Sequence, residues 1–196
     1  MCIRDRSSIL LGLVIALLRL YGPRWLRVLL VFYIDSMRAI PVLVVLVWIY
    51  FAFPLLAGVN FAPFWAALVA LTLHIAAYSA EVIRAGIESV RPGQMRAGLA
   101  LGMSRAQALR KIILPQATIR MLPAFGSVLT VAIKDTAIAT VIAVPELMHK
   151  AETIAGQSYR PIEVFTAVIV AYFVILFPVT RGVDRLYQRY AHLGRS

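Results

Sequence analysis

Residues 81–115, EVIRAGIESVRPGQMRAGLALGMSRAQALRKIILP, form a polar, basic segment between two apolar runs. This segment is long for a loop, and its composition is strongly helical. Pro92 and Gly93 predict a break before a short helix, and Pro115 predicts the end of that helix. Small and apolar residues alternate with arginines in it, which is typical of a helix that docks into a groove of a partner protein. The alternative is an ordinary solvated loop.

Long apolar runs extend outward from this segment on both sides. Hydrophobic residues make up 61% of the 196 residues and charged residues 15%, against about 45–50% and about 25% in soluble domains. The apolar runs cover residues 7–18, 41–56, 64–83, 121–144 and 161–179. A helix needs about 20 residues to span a bilayer, so the first run is too short. We predict an all-α integral membrane protein with about five transmembrane helices, of which the first is truncated.

The chain divides into a short start and one long domain. Residues 1–6 are polar, and we expect them to be a non-native or disordered start. Residues 7–196 contain no repeat and no low-complexity linker, so we predict a single transmembrane domain. Within it we expect a cytoplasmic loop over about residues 86–115 and a cytoplasmic tail over about residues 181–196.

The charge distribution predicts the orientation in the membrane. The net charge is +11, and 15 of the 20 lysines and arginines lie in residues 19–38, 84–120 and 181–196. With five spans, these three segments lie on one side of the bilayer. Basic residues concentrate on the cytoplasmic side of membrane proteins. We therefore expect the N-terminus outside and the C-terminus in the cytoplasm, and we attribute the basic charge to the membrane rather than to nucleic acid.

Motifs of catalysis and of nucleotide binding are absent from the sequence. It contains no H-E-x-x-H, no G-x-S-x-G and no Walker A motif. One cysteine permits neither an intrachain disulfide nor a cysteine metal cage. We predict a protein that is not an enzyme and binds no cofactor itself. A structural membrane subunit and an intramembrane enzyme without a transport pathway remain alternatives.

The segment resembles the cytoplasmic signature of ABC importer permeases, which reads E-A-A, three residues, G, nine residues, I-x-L-P. Residues 96–98, Gly102 and residues 112–115 stand at its positions. Residues 33–35, 77–81, 134–136 and 146–147 resemble the polar amino-acid branch of this binding-protein-dependent transport family. The resemblance covers residue 7 to the end of the chain. It departs at two positions, where Arg96 replaces the signature glutamate and Gly98 replaces the second alanine.

This resemblance implies a type I ABC importer permease in the bacterial cytoplasmic (inner) membrane, which translocates a polar amino acid. The implied partners are a second permease chain (the same or homologous), an ABC ATPase dimer that holds ATP and Mg²⁺, and a periplasmic or lipid-anchored solute-binding protein. The segment would couple the permease to the ATPase. The expected coupling residues are Arg96, Ala97, Gly98, Leu101, Gly102, Ser104, Ala106, Leu109, Leu114 and Pro115.

Polar residues within the apolar runs are candidates for the translocation pathway. Charged groups at such depth are costly and usually face a bundle interior or a water-filled cavity. The candidates are His74, Tyr78, Glu81, Lys134, Asp135 and Thr136. Lys134 and Asp135 carry charges that suit a zwitterionic amino acid, but an internal structural ion pair is the alternative. For His74 the favoured alternative is a packing histidine, and for Glu81 it is a helix-end ion pair to Arg84.

Overall fold

The computed structural model describes residues 2–191, which are helical almost throughout and include no strand. This confirms the predicted all-α class. The helices are α1 (Cys2–Tyr21), α2 (Arg24–Ala39), α3 (Val42–Ala57), α4 (Pro63–Glu88), α5 (Pro92–Ala100), α6 (Arg105–Ile142), α7 (Leu147–Ser158) and α8 (Pro161–Tyr190).

Three of these helices, α4, α6 and α8, are long and apolar enough to cross a membrane. The pair α2 and α3 passes the same criteria together, but it is bent by 107° at its break. Helix α1 does not pass on its own within the described residues. It begins at Cys2, so residues 2–6 are helical in the structure. Met1 and residues 192–196 lie outside the described residues.

Helix α4 is the centre of the bundle, and α1, α2, α3 and α6 pack around it. Its buried face consists largely of alanines, including Ala70, Ala76 and Ala80. Small residues allow helix backbones to approach closely in membrane proteins. A methyl group added to Gly12 of α1 would lie only 2.6 Å from the Cβ atom of Ser79. The contact between α1 and α4 therefore depends on small side chains on both helices.

Pro115 does not end a helix, contrary to the prediction, because a wider turn accommodates it. A proline has no N–H group to donate to the carbonyl four residues earlier, and its ring clashes with that carbonyl. The π-helical turn Leu109–Ile113 comes directly before this position and lets α6 continue through it. The π-helical turn Trp48–Ala52 stands in the same relation to Pro54 in α3. A π-helical turn that ends two residues before the proline thus lets both Pro54 and Pro115 lie within a continuous helix.

Several predicted helix boundaries also differ from the structure. Helix α6 begins at Arg105 rather than near residue 121, and α8 continues through Pro178 to Tyr190. The connector between them contains α7, which we did not predict. Its start is capped by the Glu146 carboxylate, which accepts hydrogen bonds from the backbone N–H groups of Met148 and His149 at 2.9 and 2.6 Å. After Asp135 the backbone of α6 changes from α-helix to 3₁₀-helix, which continues to Ile142.

Candidate functional site

The predicted docking segment consists of two helices joined by a tight turn rather than one helix. Helix α5 ends at Ala100, and α6 begins at Arg105. Gly102 lies in the turn with a φ of +80°, a left-handed conformation that favours glycine. The Ser104 hydroxyl accepts a hydrogen bond from the Gln107 backbone N–H at 3.2 Å, and the side-chain Oε1 atom of Gln107 accepts one from the Ser104 backbone N–H at 2.9 Å. This capping box defines where α6 begins.

Gly98 is the point at which α5 crosses α6. A methyl group on Gly98 would lie 3.0 Å from the Cδ1 atom of Ile112 and 3.1 Å from the Cβ atom of Ala108. Gly98 and Ala108 are both buried. The glycine that departs from the signature therefore has a structural reason, because α5 and α6 touch there. Gly98 belongs to the contact between these helices and not to the surface that a partner could reach.

The other predicted coupling residues form an accessible surface with a basic rim. Leu101 is 78% exposed and Leu99, which the sequence analysis did not single out, is 38% exposed. The remaining exposed members are Arg96, Ala97, Gly102, Ser104, Ala106 and Pro115, whereas Leu109 and Leu114 are half-buried. Basic side chains surround this surface: Arg91, Arg96, Arg105, Arg110 and Lys111. We use the name coupling surface for the exposed coupling residues together with this basic rim.

An ion-pair network lies at the end of α4 from which the coupling segment continues. The Arg19 Nη1 group of α1 donates to the Glu81 carboxylate at 2.7 Å, and Arg84 Nη2 donates to it at 2.5 Å. Arg84 also pairs with Glu88. The Glu81–Arg84 pair confirms the predicted helix-end interaction. Arg19 was missed because it is 62 residues away from Glu81 in sequence.

His74 lies beside Tyr78 one turn away on α4. Their ring centroids are 5.2 Å apart, and the Arg38 guanidinium lies 5.9 Å from the Tyr78 centroid. The Tyr33 hydroxyl donates to the Leu73 carbonyl at 2.7 Å, which ties α2 to the same part of α4. His74 is only 6% exposed, and its Nδ1 atom has no hydrogen-bond partner among the described residues. The site around His74 is thus a packed aromatic and cationic cluster.

Lys134 and Thr136 lie near the other end of the bundle. The Lys134 side chain is exposed and makes no ion pair within residues 2–191. The structural ion pair considered for Lys134 is therefore not found in the described part of the chain. Thr136 lines a cavity of about 420 Å³ with Glu146 and Tyr172. The walls of this cavity are otherwise mostly apolar, with Phe64 and Leu71 among them.

The six pathway candidates therefore fall in two places and not in one site. His74, Tyr78 and Glu81 recur at helical spacing along α4, where Tyr78 contacts Arg38 of α2 and Glu81 contacts Arg19 of α1. Lys134 and Asp135 end the α-helical part of α6, and Thr136 begins its 3₁₀ part beside the first turns of α4. No group of three or more His, Cys, Asp or Glu side chains that could hold a metal ion occurs in the described residues.

Comparison with known proteins gives the class to which these features belong. The chain matches the family described as "Binding-protein-dependent transport system inner membrane component" over residues 8–192. It is 37% identical over 186 residues to the glutamine transport system permease protein GlnP of Escherichia coli (strain K12), which covers 93% of this chain and 84% of that protein. It is 39% identical over 178 residues to the probable amino-acid ABC transporter permease protein PatM of Vibrio harveyi, with coverage of 89% and 79%.

Solved structures agree with this family relationship. The fold matches the crystal structure of an amino acid ABC transporter with histidines, with a TM-score of 0.89 and 35% identity over 95% of this chain and 86% of that one. It also matches an inward-facing MetNI methionine ABC transporter, with a TM-score of 0.79 and 20% identity over 95% and 89% of the two chains, which shows the shared fold alone.

The fold and these matches define a multi-pass membrane permease of the type I ABC importer class, a transport subunit and not an enzyme. The chain belongs to the binding-protein-dependent transport system inner membrane component family. Membership of this family implies that it works with an ATPase and a solute-binding protein. The alternatives of a structural subunit and of an intramembrane enzyme are not favoured.

Proposed function

We propose that this chain is the permease subunit of an ATP-driven importer that takes up a polar amino acid delivered by a solute-binding protein. The relatives that support this substrate class are named for glutamine, for octopine and for L-cystine. ATP and Mg²⁺ would be held by two ATPase subunits, and this chain would bind no cofactor. A second permease chain, either a copy or a homologue, would complete the pathway.

The coupling surface is the observation that carries this proposal. It presents exposed apolar side chains such as Leu101 inside a rim of arginines. A short helix of this kind fits a groove of a partner protein. Packing through Gly98 and the capping box at Ser104 hold it rigidly against α6. Force applied to the coupling surface would therefore act on a membrane-spanning helix and not on a loose loop.

Alternating access follows from this connection as a two-state equilibrium. Helix α6 joins the coupling surface directly to Lys134 and Thr136 near its other end. A ligand shifts an equilibrium between two states only if it binds them with different affinity. ATP binding to the ATPase subunits and docking of the loaded binding protein would each favour one state. Lys134, exposed at the end of the α-helical part of α6, is the candidate to contact the carboxylate of the solute.

The proposed orientation places the coupling surface in the cytoplasm and the connector with α7 outside. The basic residues of the coupling surface and of the end of α8 support it, because cytoplasmic loops carry an excess of arginine and lysine. The N-terminus would then lie outside and the C-terminus in the cytoplasm. We propose that residues 7–196 form a single permease domain with this topology.

Reconstitution tests the proposed function. The chain is co-expressed with candidate ATPase and binding-protein subunits, purified as a complex and placed in liposomes. We expect ATP hydrolysis to be stimulated when the binding protein carries one particular polar amino acid, and less or not at all with others. A fully assembled complex that no loaded binding protein stimulates would refute the importer function.

A matched pair of variants tests the role of the coupling surface in the same assay. Leu101→Glu places a charge on the coupling surface, and Leu55→Glu places one on a leucine of α3 that is 87% exposed. We expect Leu101→Glu to lose co-purification of the ATPase and Leu55→Glu to retain it. Equal retention of the ATPase by both variants would exclude the coupling surface as the docking site.

A further inference from the structure

Helix α2 carries an exposed apolar stripe that no other part of the described chain covers. Four large side chains form it, and we call them the α2 stripe: Trp25 (66% exposed), Val28 (68%), Leu29 (58%) and Phe32 (72%). At 100° per residue they lie within a sector of about 100°. This arrangement leaves four large apolar groups side by side on the surface of the chain, where water would make them costly.

The opposite side of α2 is fixed to the bundle, so the direction of the stripe is determined. Ile34 is fully buried, and the Tyr33 hydroxyl is bonded to the Leu73 carbonyl of α4. The Arg27 Nε group donates to the Arg19 carbonyl at 3.0 Å. A guanidinium there satisfies a carbonyl at the end of α1, where helix carbonyls lack partners. Helix α2 therefore cannot turn its stripe inward without breaking these contacts.

A third side of α2 is basic. Arg24, Arg27 and Arg38 lie within about 60° of one another around the helix axis, and all three are exposed. Asp35 is the single acidic residue of the helix. Arg27 and Arg38 also contact the bundle, at the Arg19 carbonyl and the Tyr78 ring. Arg24 therefore lies between the packed side and the apolar side of the helix. This pattern is typical of a helix that lies in the interface of a membrane with its charges at the lipid headgroups.

The bend between α2 and α3 orients α2 along the membrane surface. The axes of α2 and α3 differ by 107°, so α2 runs nearly in the membrane plane when α3 enters the bilayer. We propose that α2 is an interfacial helix that inserts the α2 stripe at the boundary between headgroups and acyl chains and binds anionic lipid phosphates through Arg24. That this is the cytoplasmic leaflet rests on the proposed orientation, whereas the contact with lipid does not.

Lipid is the occupant that the charges favour over a second copy of the chain. Anionic headgroups attract juxtamembrane arginines, and Trp25 beside Arg24 is a side chain that prefers the interface. A second copy that docked on the stripe through its own α2 stripe would offer apolar side chains there and no phosphate for Arg24. The structure therefore assigns the stripe to an acidic lipid surface.

Fluorescence quenching measures the depth of Trp25 directly. In a Trp48→Phe, Trp65→Phe background, Trp25 is the only tryptophan of the chain. The protein is reconstituted in phosphatidylcholine that is brominated either near the headgroup or near the chain end. We expect the shallow bromines to quench Trp25 at least twice as strongly as the deep ones. Equal quenching at both depths, or none, would overturn the proposal.

Two further experiments distinguish lipid from a second copy of the chain as the group that covers the α2 stripe. Phosphatidylglycerol should increase shallow quenching, and Arg24→Gln should remove half or more of that increase, whereas the distant Arg160→Gln should leave it unchanged. An increase that is the same in both variants would remove Arg24 from the proposal.

In a Cys2→Ser background, Phe32→Cys should not form a disulfide between two chains. An efficient disulfide without quenching would assign the α2 stripe to a second copy.

Discussion

Gly98 and Ala108 are in contact where α5 crosses α6, and a methyl group on the glycine would lie 3.1 Å from the alanine Cβ atom. The signature position at Gly98 is therefore part of the internal packing of the coupling segment. Leu101, in contrast, projects from the same segment with 78% of its surface exposed. The coupling motif thus combines residues that hold the segment together with residues that a partner can reach.

A large side chain at Gly98 should uncouple the permease from its ATPase. Gly98→Leu forces α5 away from Ala108 and Ile112, and overpacking of this kind costs about 1–3 kcal/mol. We expect the stimulated ATP hydrolysis of the reconstituted complex to fall about tenfold or more. Gly93→Leu is the matched control, because Gly93 lies in the first turn of the same helix with open space around it. Equal activity of both variants would contradict the packing role of Gly98.

Removal of Pro115 should change coupling without loss of stability. In Pro115→Ala the restored N–H group permits an ordinary α-helical turn in place of Leu109–Ile113. Loss of the one-residue insertion rotates the preceding residues by about 100°, which turns the coupling surface away from its partner. We expect the temperature of unfolding to stay level or rise while ATPase stimulation falls several-fold.

Pro54→Ala is the control for this prediction. It alters the equivalent π-helical turn in α3, at a distance from the coupling surface. Normal stimulation should persist in this variant. Intact stimulation in Pro115→Ala would show that the π-helical turn does not set the direction of the coupling surface.

Glu81 should couple energetically to Arg19. The two side chains are about four-fifths buried and 2.7 Å apart, so the pair is more than a surface contact. A double-mutant cycle with Glu81→Gln and Arg19→Gln, followed by thermal unfolding in detergent, should give an interaction energy of about 0.5–2 kcal/mol. Glu163→Gln, at an exposed position in the first turn of α8, should change stability by less than about 0.5 kcal/mol. Strict additivity of the two Gln substitutions would show that the pair does not contribute.

Lys134 should be needed for transport but not for assembly. Lys134→Met removes an exposed ammonium group that has no ion-pair partner in the described chain, so the fold has little to lose. We expect uptake of the amino acid to be abolished while the ATPase still co-purifies. Lys150→Met removes a comparable exposed charge from α7 and should leave uptake intact. Normal uptake by Lys134→Met would remove this residue from the pathway.

Local patterns in the sequence predicted the features that depend on neighbouring residues. The apolar runs identified the membrane helices, and the spacing around Gly98 identified the coupling segment. The pair of Glu81 and Arg84 was also predictable, because residues three apart on a helix are neighbours.

Features that depend on distant residues or on backbone adjustment were not predictable in this way. Arg19 reaches Glu81 only because α1 packs along α4, and no local pattern records that contact. Pro115 was expected to end a helix because propensity describes an isolated α-helical turn, whereas a π-helical turn removes the conflict. Helix α7 was missed because Glu146 was considered for its family resemblance and not as a residue that could cap a helix.

Helix α6 has 38 residues, which at 1.5 Å per residue correspond to about 57 Å, nearly twice the thickness of the hydrocarbon core. A rigid helix of this length would pivot where it crosses α4. A tilt of about 5° would move its far end by about 5 Å relative to the coupling end. Lys134 lies about 44 Å from the start of α6, so the same tilt would move it by about 4 Å relative to the coupling end, with no need for any hinge inside the membrane.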